Sequence, residues 1–144
     1  MRSSDTKIAE AEALLRWSCK DMGSVSPLEF IPLLESSGLI IPVGKWVPEQ
    51  SVRQCCKWLA CVPDFVMNVN CSYLQMLDED FVQSVKEIIN RYRLDPSHIV
   101  LELTESRFVT DQDRLNDTFK RLRSLNIRLA MDDFGTGYSS LSCL

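Results

Sequence analysis

The sequence is poor in the residues that several common kinds of site require. It has one histidine, His98, and its six cysteines (Cys19, Cys55, Cys56, Cys61, Cys71 and Cys143) include no C-x-x-C pair. A thiolate–imidazole zinc centre therefore has too few ligands at the right spacing. No apolar run approaches the roughly 18 residues that span a bilayer. The opening MRSSDTKIAEAE carries no apolar stretch behind its arginine, so it does not read as a secretory signal. The cysteines are accordingly expected to stay reduced and to fill apolar space, with the cytoplasm as the default compartment. Basic residues do not exceed acidic ones: 16 against 20 give a net charge of −4, which disfavours a charge-driven binder of DNA or RNA polymers. There is no G-x-G-x-x-G, no internal repeat and no low-complexity tract.

What is present fits one globular domain or part of one, with 144 residues, 45 % apolar and 25 % charged. Residues 7–17 (KIAEAEALLRW) suit a strand or a helix equally. A helix start follows: Ser26 as N-cap, Pro27 at the first helical position, Glu29 completing a capping box, and Gly38 as the stop. A second helix is expected over residues 46–60, with Pro48 tolerable only in its first turn. FVMNVNC (65–71) reads as a strand, and Asp78 as the cap of an amphipathic helix running to about Tyr92. HIVLELT (98–104) is a strand, Thr110 with Asp113 opens a helix, and IRLAM (127–131) is a further strand. Arg114, Lys120, Arg121 and Arg123 read as the solvated side of that last helix.

Strands and helices alternating at this spacing imply right-handed crossovers and a mainly parallel α/β sheet. An open doubly wound sheet and a closed eight-stranded barrel both satisfy the pattern, and periodicity does not separate them.

The polar residues are placed informatively. Each strand-like segment carries an oxygen-bearing side chain in or just past its carboxyl end: Glu12, Asn70, Glu102, and the pair Asp132-Asp133. In parallel α/β folds those ends share one face, where ligands bind. Carboxylates gathered there repel one another and call for a cation. Oxygen donors without histidine or cysteine favour Mg²⁺ or Mn²⁺. Adjacent aspartates can serve two ions, an arrangement suited to phosphate-ester hydrolysis. Each carboxylate alone also suits an exposed strand residue, Glu10 and Glu12 included. The Asp132-Asp133 doublet, followed by Gly135 and Gly137, looks more like an active-site loop.

Five motifs in order resemble one family, the EAL domain, the bacterial phosphodiesterase of cyclic di-GMP. They are EALLRW with Glu12-Ala13-Leu14, SPLEFIPLLESSGLIIPVGKWV (26–47), NCSYLQM (70–76), ELTES (102–106) and DDFGTGYSSLSCL (132–144). The resemblance implies a partial TIM-barrel-like (β/α)8 fold in which one strand runs against the others, with residues 1–6 a tail and 7–144 about half of the barrel. The family's first strand and its C-terminal half, including a catalytic lysine, are not represented. By position, Glu12, Asn70, Glu102 and Asp132 are implied metal ligands, and Asp133 a contact to a second metal or to the attacking water. Glu12, Asp132 and Asp133 thus become the catalytic residues, Leu14 and Arg16 the substrate contacts, and Glu105 the residue that orders the DDFGTG loop. The implied reaction opens cyclic di-GMP to linear pGpG with Mg²⁺ or Mn²⁺, weakly or not at all in this chain alone. A module that binds the dinucleotide without cleaving it, and a truncated remnant, are the alternatives. Unpartnered strand edges imply a tendency to homo-oligomerise. No membrane segment is expected in the chain, although a longer parent could carry one.

Overall fold

The structure, a computed structural model, describes residues 8–104 and 111–132. Its centre is a parallel four-stranded sheet in the order β1 (Glu10–Ala13), β4 (Val66–Cys71), β5 (Ile99–Thr104), β6 (Arg128–Asp132). The first segment is a strand, but a short one. The chain then makes an antiparallel hairpin of β2 (Trp17–Cys19) and β3 (Gly23–Val25), with Gly23 at φ 68°. Helices α1 (Pro27–Ser37) and α2 (Ile40–Leu59) follow. After β4 come α3 (Tyr73–Met76) and α4 (Phe81–Tyr92), then a turn of 3-10 helix at Pro96–His98, and α5 (Gln112–Ser124) joins β5 to β6.

Strand residues alternate between two faces. Register places Met67, Val69, Cys71, Ile99, Leu101 and Leu103 on one face, all buried. Val52 and Cys55 of α2, Val85 and Ile89 of α4, and Leu115 and Leu122 of α5 join them in one core. The opposite parity holds Glu10, Glu12, Asn68, Asn70, Glu102 and Thr104. A doubly wound sheet would carry helices on both faces and read as continuous apolar runs. Helices on one side of a parallel sheet, with none on the other among the described residues, define the wall of a partial TIM-barrel-like fold. The two architectures left open by the sequence are separated by this asymmetry.

Several local expectations need correction. At α1, Ser26 caps Leu28 N at 3.3 Å and Gly38 closes the helix at φ 75°, but the capping box through Glu29 is not formed. The second helix starts at Ile40, so Pro48 lies well inside it and not in the first turn. Pro48 leaves the Gly44 carbonyl without its helical donor, a cost of about 3 kcal/mol in an isolated helix. Tertiary burial of the stripe Ile40, Gly44, Pro48, Ser51, Val52 and Cys55 overrides it. Asp78 does not cap α4. The flanking residue is Asp80, and the carboxylates of both lie 3.9 Å from Lys45 Nζ. Asp111 caps α5 by accepting from Arg114 N at 3.0 Å, whereas Thr110 lies outside the described residues. Lys120, Arg121 and Arg123 are exposed as expected; Arg114 is exposed too, yet its guanidinium donates to Leu77 O at 2.9 Å.

The cysteines behave largely as fillers. Cys19, Cys55, Cys56, Cys61 and Cys71 are free thiols, with Cys55 and Cys71 buried; Cys143 lies outside the described residues. Burial pushes the Cys71 thiol up to about 12 from the usual 9. The neutral thiol is therefore favoured in the folded chain, and the unfolded chain loses this proton first as pH rises. Stability from Cys71 is complete below pH 9 and declines between about 9 and 12. Chemical denaturation across that range should show a steeper alkaline loss for the native chain than for Cys71→Ala.

One close approach fixes the helix layer against the carboxyl end of β4. A Cβ added at Gly44 would lie 1.9 Å from Gln75 Nε2 and 2.8 Å from Gln75 Cγ. Gln75 is buried, and its Oε1 accepts from Ser72 N at 2.7 Å, so the side chain has little room to retreat. Gly44→Ala should destabilise the chain by about 1–3 kcal/mol, read as a lower urea midpoint at unchanged m.

Candidate functional site

The site is assembled by strand register. Glu12 stands across from Asn68, Asn70 across from Glu102, and Thr104 across from Asp132. Because parallel strands in register point matched side chains the same way, Glu12, Asn70 and Glu102 share the polar face of the sheet. Residues 58 positions apart become hydrogen-bonded: Asn70 Nδ2 donates to Glu12 Oε1 at 2.6 Å. A second rung repeats the pattern one step lower, Asn68 Nδ2 donating to Glu10 Oε1 at 2.5 Å.

These rungs decide which way the Asn70 amide faces. With its NH₂ committed to the Glu12 carboxylate, its Oδ1 is buried and, among the described residues, accepts no hydrogen bond. A buried carbonyl without a donor costs about 1–3 kcal/mol and is uncommon in folded chains. A cation removes that cost. The donor set of Glu12, Asn70 and Glu102 is all oxygen, which suits Mg²⁺ or Mn²⁺, ions that keep several waters of their own. The residues present therefore fit a hard divalent ion. Among the described residues no three His, Cys, Asp or Glu side chains form a closed cage. The described part of the site is two carboxylates with an amide between them. Strand β6 brings the backbone of Asp132 to the adjacent register position. Its side chain, Asp133 and Glu105 lie outside the described residues.

Leu14 and Arg16 follow Glu12 just past the end of β1. All three line one cleft of about 400 Å³ between β1 and α2, with Trp46 and Trp58 in its far wall. Leu14 is 52 % exposed, and the Arg16 guanidinium donates to its neighbour's carbonyl, Leu15 O, at 2.9 Å. The structure thus brings the two expected substrate contacts beside Glu12.

Positioning residues around the end of β4 were not assigned roles from the sequence. Gln75 folds back onto Ser72 N, and the Ser72 hydroxyl donates to Glu35 Oε1 of α1. Together they hold the turn that follows Asn70 against α1 and α2. The Tyr73 hydroxyl accepts from Asp111 N at 2.7 Å, and Thr118 Oγ1 donates to Met76 O at 2.8 Å, tying α5 to the same turn. The signal was available in the S-x-x-Q spacing, which is that of a capping box. Likewise, E-x-E at 10–12 and N-x-N at 68–70 foretell the double rung.

A half-barrel wall with oxygen-bearing side chains at the carboxyl ends of its strands has the layout of the (β/α)8 class, whose sites lie at that face. Comparison with known proteins narrows it. The EAL domain family model matches residues 1–144. The chain is 41% identical over 131 residues to the bifunctional diguanylate cyclase/cyclic di-GMP phosphodiesterase MucR of Pseudomonas aeruginosa, covering 90% of this chain and 19% of that protein. It is 36% identical over 138 residues to the cyclic di-GMP phosphodiesterase PdeR of Escherichia coli, covering 96% and 21%. The solved MucR phosphodiesterase in complex with c-di-GMP superposes with a TM-score of 0.76 at 41% identity, covering 91% of this chain and 55% of that one. The chain belongs to the EAL domain family. It spans about a fifth of these curated relatives and about half of the solved MucR chain.

The unsatisfied Asn70 carbonyl gives a test that needs no substrate. Mn²⁺ in excess should raise the melting temperature of the native chain, by a stabilisation of about 2.7 kcal/mol at a hundredfold excess over Kd. Asn70→Leu should melt in EDTA within a few degrees of the native chain and lose the Mn²⁺ response.

Proposed function

We propose that this chain supplies the cation- and nucleotide-binding half of a cyclic di-GMP phosphodiesterase that opens the cyclic dinucleotide to linear pGpG. The observation that carries the proposal is the buried, unpartnered Oδ1 of Asn70 beside Glu12, with Glu102 at the matching position of the next strand. Membership of a family whose relatives are named cyclic di-GMP phosphodiesterases supports the substrate. Glu12, Asn70, Glu102, Asp132 and Asp133 would hold Mg²⁺ or Mn²⁺. Such ions supply Lewis-acid polarisation of the phosphodiester and an acidified water.

The chain's own residues orient the reactants. Glu12 holds the Asn70 amide so that its oxygen stays on the polar face. Arg16 meets a substrate phosphate through a charge-assisted bond, and Leu14 offers apolar surface to a base. By the family resemblance, Glu105 would order the segment that begins at Asp132-Asp133. In the net reaction the water oxygen bonds to phosphorus and the bond from phosphorus to the ribose 3′ oxygen breaks. That oxygen leaves with a proton, and a 5′ phosphate remains on pGpG. Among the described residues no helix is long and apolar enough to cross a membrane. We place the reaction in the cytoplasm.

Incubation with cyclic di-GMP and Mn²⁺, with calorimetry for binding and ion-exchange separation of pGpG, tests the reading. The chain is expected to bind the dinucleotide and to turn it over at least about a hundredfold more slowly than an intact domain, because only part of the preorganised site is present. Glu12→Gln and Asp132→Ala should each remove the residual pGpG. Failure to bind with Mn²⁺ present, or turnover indifferent to both substitutions, would overturn the proposal.

A further inference from the structure

Asn68 stands between two carboxylates. In register it lies across from Glu12 on the same polar face, yet its amide serves Glu10, one step lower, Nδ2 donating to Oε1 at 2.5 Å. Asn70 leans the same way and donates to Glu12 Oε1 at 2.6 Å. The two amides and the two carboxylates are thus matched one to one. Among the described residues no donor reaches Oε2 of Glu12, which is the oxygen left to face a cation. Neighbouring strands lie about 4.8 Å apart, so the Asn68 NH₂, directly across the register, is within reach of that oxygen too. Asn68 is buried, and a buried amide that loses its acceptor takes another rather than stay unpaired.

We propose that Glu10 is a positioning residue: it occupies the Asn68 amide and so keeps the Glu12 carboxylate open to a divalent ion. Without the Glu10 acceptor, Asn68 turns to Glu12 and covers Oε2. Glu12 is then held by two amides in place of one, and an arriving ion has to displace a charge-assisted hydrogen bond before it can bind. The lower rung matters by what it prevents. Its acceptor oxygen, not its charge, carries the effect. Residues two apart on a strand are separated by about 7 Å, and Glu10 is exposed. Through water and salt at that range its charge changes the affinity for a divalent ion by about threefold at most. The inference rests on the reading of Glu12 and Asn70 as cation ligands.

Calorimetric titration of the full chain with Mn²⁺, with melting in EDTA as the control for folding, tests this. Glu10→Ala should weaken Mn²⁺ binding at least about tenfold. Glu10→Gln keeps an acceptor for Asn68 and should stay within about threefold of the native affinity. Asn68→Ala alone should hold the native affinity to the same margin. Added to Glu10→Ala, it should restore most of what that change loses, because the competing donor is gone. A rung that acted only by stiffening the strands would weaken binding in both single alanine variants and leave the double variant no better; that result overturns the proposal. So do Glu10→Ala binding as tightly as the native chain and Glu10→Gln falling as far as Glu10→Ala. Asn68→Ala stays decisive if Glu10→Ala does not fold, since a tenfold loss there overturns the proposal by itself. A native chain that takes up no Mn²⁺ overturns the cation reading and this inference with it, whereas native binding with any of the adverse variant results overturns this inference alone.

Discussion

The amide–carboxylate rung between Asn70 and Glu12 is the interaction on which the polar side of this molecule depends. It joins two strands through side chains as well as backbone, and it sets the orientation of an amide whose two ends have opposite chemistry. A hydrogen bond to a charged acceptor is worth about twice a neutral one, so the NH₂ end is held firmly and the carbonyl end is committed to the site. The neighbouring Asn68–Glu10 rung repeats the device and stiffens the strand pair beneath it. Both rungs exist only because the strands are parallel and in the observed register. A slip of one residue would turn the asparagines into the helix layer and the core residues of β4 outward.

Much of this was legible because strands and helices write different periods into the chain. The core strands β4, β5 and β6 fall where alternation predicts them, and α4 and α5 fall where an apolar stripe recurs. The hairpin β2–β3 and helix α3 were not seen, since three- and four-residue elements are too short to show any period. The early start of α2 was hidden by Pro48, whose local cost is overruled by a buried stripe that only the tertiary structure reveals. The choice between barrel and open sheet was not legible in the alternation, because both architectures cover both faces of their strands; it is made by the helices packing, among the described residues, on one face only.

The site shows the same division. Glu12, Asn70 and Glu102 could be chosen from sequence because a parallel sheet gathers its carboxyl ends, and register brings them onto one face as expected. Leu14 and Arg16 share a cleft with Glu12 because the whole segment 12–16 runs along it. The orientation of the Asn70 amide was not legible, because it depends on a partner 58 residues away. Nor was the brace of Glu35, Ser72, Gln75 and Gly44, in which a missing side chain on one helix makes room for a folded-back glutamine from another.

The bare carbonyl of Asn70 also bears on how stability and binding are divided within a single residue. A buried oxygen with no donor lowers the margin of the fold, and something outside the polypeptide that answers it restores that margin. An aliphatic replacement at this position would remove the bare carbonyl but also give up the rung to Glu12, so a gain and a loss offset each other in the fold. One side chain thus serves two masters: its nitrogen ties a pair of strands together, and its oxygen waits for a partner from outside.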